Sequence, residues 1–161
     1  MNQKLTHAIQ LRSEGKLKES NELILSLVNE FPIDPAIHYQ CAWSFDVLGE
    51  ESKAAPYYEK AIELGLDGEE LEGAYIGLGS TYRALGHYER SKKVFLNGLN
   101  KFPNNQAILC FYAMTLYNLE EHEQAMGFLL KSLATTSADH DITDYKRAIL
   151  FYADKLNDTW N

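Results

Sequence analysis

The sequence predicts an all-α fold, a right-handed superhelical solenoid of four helix-turn-helix hairpins closed by a C-terminal capping helix. Three observations carry that expectation: a repeat of about 34 residues, small residues at two fixed places in each repeat, and glycines between the helical segments. Gly15-Lys16-Leu17, Gly49-Glu50-Glu51, Gly86-His87-Tyr88 and Glu120-Glu121-His122 align at steps of 34, 37 and 34 residues. The windows are 1–34, 35–68, 72–105 and 106–139, with Glu69, Glu70 and Leu71 inserted before the third.

The columns of this alignment have a physical reason. Ala8, Ala42, Gly79 and Ala113 share one column, and Ser20, Ala54, Ser91 and Ala125 share another. Two helices approach closely only where side chains are small, so these columns mark the crossing within each hairpin. Leu11, Phe45, Tyr82 and Leu116 on the first helices, and Ile24, Tyr58, Phe95 and Leu129 on the second, supply the apolar packing around it. Gly15, Gly49 and Gly86 fall where a left-handed helix end is needed. Pro32 and Pro103 stand just after second helices, as stops.

The remaining elements follow in order. Pro56 lies near the start of its helix, where a missing N–H costs little, so no break is expected. Gly65-Leu66-Asp67-Gly68 is turn chemistry. Asp67 can cap the next helix, with Glu69 and Glu70 in its first turn, and the insertion lengthens that helix by about one turn. Past residue 139, Ile142, Tyr145, Ala148, Ile149, Tyr152, Ala153 and Leu156 recur at helical spacing. This predicts a capping helix over about 141–156, N-capped by Asp139 or Asp141, that covers the open end of the last hairpin. Residues 157–161 are a tail in which Trp160 is either frayed or an anchor. Residues 1–161 thus read as a single domain.

Composition narrows the function classes. The chain has 161 residues, enough for one core. Its 15 Lys plus Arg against 23 Asp plus Glu give a net charge of −8, which opposes nucleic-acid and anionic-membrane binding. The N-terminus shows no secretory pattern, and no apolar run reaches the ~20 residues of a membrane span. Cys41 and Cys110 lie two repeats apart, beyond disulfide reach, and suit a reducing, cytoplasmic setting as buried small hydrophobes.

No phosphate loop, dinucleotide fingerprint or nucleophile elbow is present, and no acid–base pair is opposed. The five histidines, His7, His38, His87, His122 and His140, are scattered. His122-Glu123 begins like a zinc motif, but Met126 stands where the second histidine belongs, so neither metal nor cofactor is expected. The chain reads as a non-enzyme.

The third window carries Tyr75, Leu78-Gly79, Tyr82, Gly86, Ser91, Phe95, Gly98 and Pro103, and in this it resembles the tetratricopeptide repeat (TPR) family. The second window keeps Ala42, Phe45, Gly49, Ala54, Tyr58 and Ala61 but has Leu66 for the proline. The first has Lys4 for the leading aromatic, and the fourth has Glu120 for glycine and Ser137 for proline. The stretches Tyr39-Gln40-Cys41-Ala42-Trp43 and Ala148 to Leu156 are similar to the small bacterial group 5 of that family.

The resemblance implies a protein-interaction module whose first helices line a concave groove. Carried over position by position, the groove takes Asn2, Leu5, Ile9, Arg12 and Ser13 from the first repeat. It takes Ala36, Tyr39, Trp43, Asp46 and Val47 from the second, Gly73, Ile76, Ser80, Arg83 and Ala84 from the third, and Ala107, Cys110, Met114, Tyr117 and Asn118 from the fourth. Tyr39, Trp43, Ile76, Met114 and Tyr117 are the large residues there, typical of interface anchors. They either hold a partner or pack on neighbouring first helices. Asp46 and Arg83 are either polar handles for a peptide or a surface ion pair. Chaperone-binding relatives hold a terminal carboxylate with basic residues. The matching positions Leu5, Ile9, Gln40, Gly73 and Gly77 are not basic, which disfavours that role.

The leading expectation is an adaptor that binds a peptide or partner helix in the groove. Its alternative is a homodimer formed through the groove or an end face. An RNA-binding helical repeat is third, opposed by the acidity and the shortage of basic residues in the groove.

Overall fold

The computed structural model describes residues 3–160. Asn2, assigned to the groove by sequence, and Asn161 of the tail lie outside the described residues. Ten α-helices and no strand are found among the described residues. They form two compact units, Met1–His87 and Tyr88–Asn161, whose boundary falls at the turn inside the third repeat.

The first unit holds α1 (Gln3–Ser13), α2 (Leu17–Glu30), α3 (Pro35–Asp46), α4 (Glu51–Glu63) and α5 (Gly68–Ala84). α1 pairs with α2 and α3 with α4, and each second helix packs on the first helix that follows it. Ala8, Ala42 and Ala54 are fully buried at the crossings. Ser20 is buried as well, and its hydroxyl donates to the Ala8 carbonyl at 2.7 Å, tying α2 to α1. Leu5, Leu27 and Ile37 form a core cluster with Ile9 and Val28 against it. Each such side chain contributes about 1.5–3 kcal/mol by leaving water.

Local chemistry sets the helix ends. Asp34 accepts from the Ala36 and Ile37 amides at 3.0 and 3.2 Å, with Pro35 opening α3. Gly15 and Gly49 close the first helices with φ of 80° and 71°, a region that side chains disfavour. Pro56 is accommodated inside α4 without a break. α5 has 17 residues against 11 to 13 in α1, α3 and α7, as the insertion predicts. Asp67 stands at its N-cap in extended conformation, but the side chain makes no capping bond.

The second unit holds α6 (Tyr88–Lys101), α7 (Gln106–Asn118), α8 (His122–Thr136), α9 (His140–Asp144) and α10 (Lys146–Tyr152). α7 packs on α6 and on α8. Ser91 and Thr115 share a buried 2.8 Å hydrogen bond between α6 and α7, and Phe95 stacks near Phe111. Asn105 caps α7 through the Ile108 amide at 2.9 Å. At the α7–α8 turn, Glu120 takes the left-handed conformation, φ 63°, that glycine holds at the other repeat turns.

The C-terminal region departs from the single capping helix expected over 141–156. Asp139 caps α9 through the amides of Asp141 and Ile142, but the chain breaks at Tyr145 and resumes as α10, which ends at Tyr152. Split in two, it presents no continuous apolar face. Of the residues expected to be covered only Ala153 is buried, while Tyr145, Ala148, Tyr152 and Leu156 are exposed. Leu129, placed in a packing column by the repeat alignment, is 38% exposed for the same reason. In the tail, Trp160 rests against Phe151 and Tyr152 yet stays 59% exposed.

Candidate functional site

Within the first unit, α1, α3 and α5 lie side by side, and a shallow cavity of about 310 Å³ opens between α3 and α5. Tyr39, Trp43 and Val47 wall it on the α3 side, Gly73, Ile76 and Gly77 on the α5 side, with Asp46 and Tyr58 behind. Trp43 and Val47 are 41% and 39% exposed, unusual for large apolar groups in the middle of a packed unit.

Two glycines make the cavity what it is. A Cβ on Gly73 would collide with the Tyr39 hydroxyl, and one on Gly77 would collide with the Tyr58 ring. They stand four residues apart, on one face of α5. Tyr39 and Tyr58 therefore rest against bare backbone, and the two rings lie 6.1 Å apart.

Asp46 fixes the back wall. Its carboxylate accepts from the Tyr58 hydroxyl at 2.6 Å and the Thr81 hydroxyl at 3.1 Å, linking α3 to α4 and α5. Burial raises its pKa above the usual carboxylate value, and these two bonds partly oppose the rise. Burial likewise raises the Tyr58 phenol, with the Asp46 charge adding to it. The sequence left Asp46 as either a handle for a partner or half of a surface ion pair. In the fold both oxygens are already engaged, so it acts on the wall instead.

The front is held by a polar chain across three helices. The Arg12 guanidinium from α1 sits 3.9 Å from the Trp43 ring centroid, a cation–π contact. Its Nη2 donates to Gln40 Oε1 at 2.7 Å, and Gln40 Nε2 donates to Glu70 Oε1 at 3.3 Å. Arg12 is half buried, and desolvation lowers its pKa while the Tyr39 and Tyr58 phenols oppose that.

The expected groove residues do not all gather here. Tyr39, Trp43, Asp46, Val47, Gly73 and Ile76 line the cavity. Leu5 is buried in the core and Ile9 packs on it, so the first repeat contributes Arg12 rather than an apolar wall. Ser80 has a buried hydroxyl with no hydrogen-bond partner, and Arg83 is half buried in the last turn of α5; neither lines the cavity. Cys110, Met114 and Tyr117 belong to α7 in the second unit, with Cys110 half buried and the other two 44% and 65% exposed. Sequence reasoning placed Gly73 in the groove but missed that it receives Tyr39, and it missed the roles of Gly77, Gln40 and Glu70. The only available signal was the Gly73–Gly77 spacing, which no local turn explains.

The tetratrico peptide repeat family matches residues 35–156. The chain belongs to this family. No curated protein sequence matches it. Among solved structures, it is similar to YrrB, described as a TPR protein with an unusual peptide-binding site. The TM-score is 0.72 at 16% identity, over 96% of this chain and 77% of that one. It is also similar to MamA from Desulfovibrio magneticus RS-1, with TM-score 0.69 at 14% identity over 98% and 97% of the two chains. A chain of the Cut9–Hcn1 hetero-tetramer of the APC/C gives 0.71 at 20% identity, over 93% of this chain and 29% of that one. These likenesses show the TPR solenoid fold. Tetratrico peptide repeats serve protein–protein interaction, and protein binding is the functional class of this chain.

Among the described residues no helix is long and apolar enough to cross a membrane, and no group of three metal-ligating side chains is found.

Proposed function

We propose that this tetratrico peptide repeat chain is a non-enzymatic adaptor that seats a large apolar side chain of a partner segment in the cavity between α3 and α5. The observation that carries this reading is Trp43, 41% exposed at the cavity mouth while Arg12 holds its ring in place. A pre-ordered aromatic wall binds without losing rotamer freedom at contact. Gly73 and Gly77 let Tyr39 and Tyr58 seat deep against α5, and the engaged Asp46 keeps the back wall from moving. The peptide-binding site in YrrB's description accords with a peptide as the partner class, while the net charge of −8 speaks against RNA.

Selection of binding segments from a random peptide library, followed by titration calorimetry, tests the reading. Selected segments should carry a shared large apolar residue and lose at least about tenfold in affinity against Trp43→Ala, the size of an interface hot spot. Segments that bind Trp43→Ala as tightly as the wild type, with circular dichroism unchanged, would sink it.

A further inference from the structure

We infer that the partner segment seated between α3 and α5 is basic, placing a lysine or arginine beside its apolar anchor and against the acidic start of α5 at Glu69, Glu70 and Glu72. This rests on the peptide-site reading above and gives that partner its chemistry.

The extra turn of α5 brings these acids to the cavity. Glu69 and Glu70 belong to the inserted residues, and Glu72 opens the third window. Residues three and four apart share a helix face, so Glu69 and Glu70 stand one turn before Gly73, and Glu72 one turn before Ile76. Gly73 and Ile76 wall the cavity, and the acids continue that wall past its end. One turn of helix advances only about 5.4 Å, within reach of an occupant's long side chain. Glu70 also crosses to α3, where Gln40 Nε2 donates to it at 3.3 Å beside Tyr39. Its charge is felt on the wall: burial raises the Tyr39 phenol pKa, Glu70 adds to the rise, and Arg12 opposes it.

The chain itself does not answer this charge. Acids favour any helix start, yet α1 and α3, the other first helices of the unit, have none in their first turns. Glu69 is exposed and makes no hydrogen bond or ion pair among the described residues. The first helices of the unit hold three lysines and arginines among the described residues, Lys4, Arg12 and Arg83. Lys4 pairs with Glu30 at 2.7 Å. Arg12 lies on the Trp43 ring and donates to Gln40. Arg83 is in the last turn of α5, roughly 20 Å along the axis from Glu69 and beyond the ~8 Å screening length of physiological salt.

Charge complementarity then selects the occupant. Asp46 stands behind the cavity and the three glutamates at its end, against Arg12 alone in front. An acidic segment is repelled by this border and by the net charge of −8, and so is a second copy of this chain. A segment with a cation about 6 Å from its anchor gains from both parts of the site. That spacing is two residues in an extended chain or four in a helix. Rim charges of this kind act on association rate and partner choice more than on affinity. Trp43 therefore holds the segment, and the acids decide which segment is held.

Segments selected from a random peptide library on the full wild-type chain are the probes, read by titration calorimetry and stopped-flow association. They should carry a lysine or arginine within about four residues of their shared apolar residue. Glu69→Gln with Glu70→Gln should weaken binding about fivefold, the sum of two exposed ion pairs, with an unchanged circular dichroism spectrum. Changing the segment's own cations to glutamine should cost as much, a reading that needs no protein variant. Raising NaCl from about 0.05 to about 0.5 M should slow wild-type association about tenfold and leave the double variant nearly unmoved. Trp43→Ala should weaken binding at either salt, which separates the two readings. Where Trp43→Ala weakens binding but the segments are neutral or acidic, or the double variant keeps the wild-type salt dependence, the basic partner is overturned and the peptide site stands. A library that yields no segment dependent on Trp43 overturns both.

Discussion

Tyr58 and Leu129 stand at the same place in the second and fourth repeats, on α4 and α8, yet one is 3% and the other 38% exposed. Around Tyr58 everything closes: Gly77 of α5 receives the ring, Asp46 of α3 takes the hydroxyl, and Thr81 braces Asp46 from α5. Around Leu129 nothing in the second unit closes, because the C-terminal segment has settled at Gly127 instead. The repeat therefore specifies where a side chain points but not whether a neighbour meets it. A neighbour is supplied where a following first helix packs on the column, by a bare glycine under Tyr58 and by the Phe111 ring beside Phe95.

The comparison is most easily broken by truncation. Tyr58→Ala should cost about 4 kcal/mol in urea unfolding, from lost packing and a stranded Asp46 carboxylate. Leu129→Ala should cost about 2 kcal/mol or less within the single chain, because part of its side chain already lies in water. Near-equal losses would mean that the two columns are equally closed.

Next in size is the receiving side. Gly77→Ala should destabilise by about 2 kcal/mol, because Tyr58 is hydrogen-bonded at its far end and cannot step back. A loss under about 0.5 kcal/mol in denaturant melts would show that the wall yields.

The turns give a smaller effect of opposite sign. Glu120→Gly should stabilise by about 1 kcal/mol, since a left-handed side-chain residue carries a conformational penalty that glycine lacks. Gly49→Ala, the matching turn of the second repeat, should destabilise by a similar amount. Thermal melts that move both variants the same way would contradict the backbone assignment.

The smallest effect is a slope. Burial raises the Asp46 pKa in the fold, so the folded protein holds this proton more tightly than the unfolded chain does. Stability on this account is greatest below the unfolded value near 3.8 and declines as pH rises through the folded value. Asp46→Asn should remove that decline, gaining on the wild type as pH climbs from about 3 to 6. Parallel pH profiles of Tm would show that Asp46 is solvated.

Features fixed by one residue's own backbone were readable from the chain. The turn glycines, the Asp139 cap, the small crossing columns and the longer α5 all depend on local geometry and spacing. The pairings that build the site were not. Arg12 over Trp43 joins residues 31 apart, and Tyr39 against Gly73 joins residues 34 apart; each depends on how neighbouring repeats are turned. Trp43 and Ile76 could be placed by family position, but the duty of Asp46 could not, because its partners lie on two other helices. The C-terminal helices misled for a related reason. Their apolar spacing suggested a lid over α8, while a glycine at 127 drew them to another side.

The fit of Tyr39 and Tyr58 against Gly73 and Gly77 also constrains sequence change over time. Neither member of either pair can alter its volume alone: a methyl at 77 asks for a smaller ring at 58, and loss of that ring strands the carboxylate at 46. Drift at these positions must proceed in linked steps, and an aligned set of relatives should show substitutions at 58 and 77, and at 39 and 73, changing together. Surface positions such as Ser13 and Glu22 should vary independently of one another. A designer who grafts this cavity onto another repeat array must therefore transplant the contributions of α3, α4 and α5 as one block.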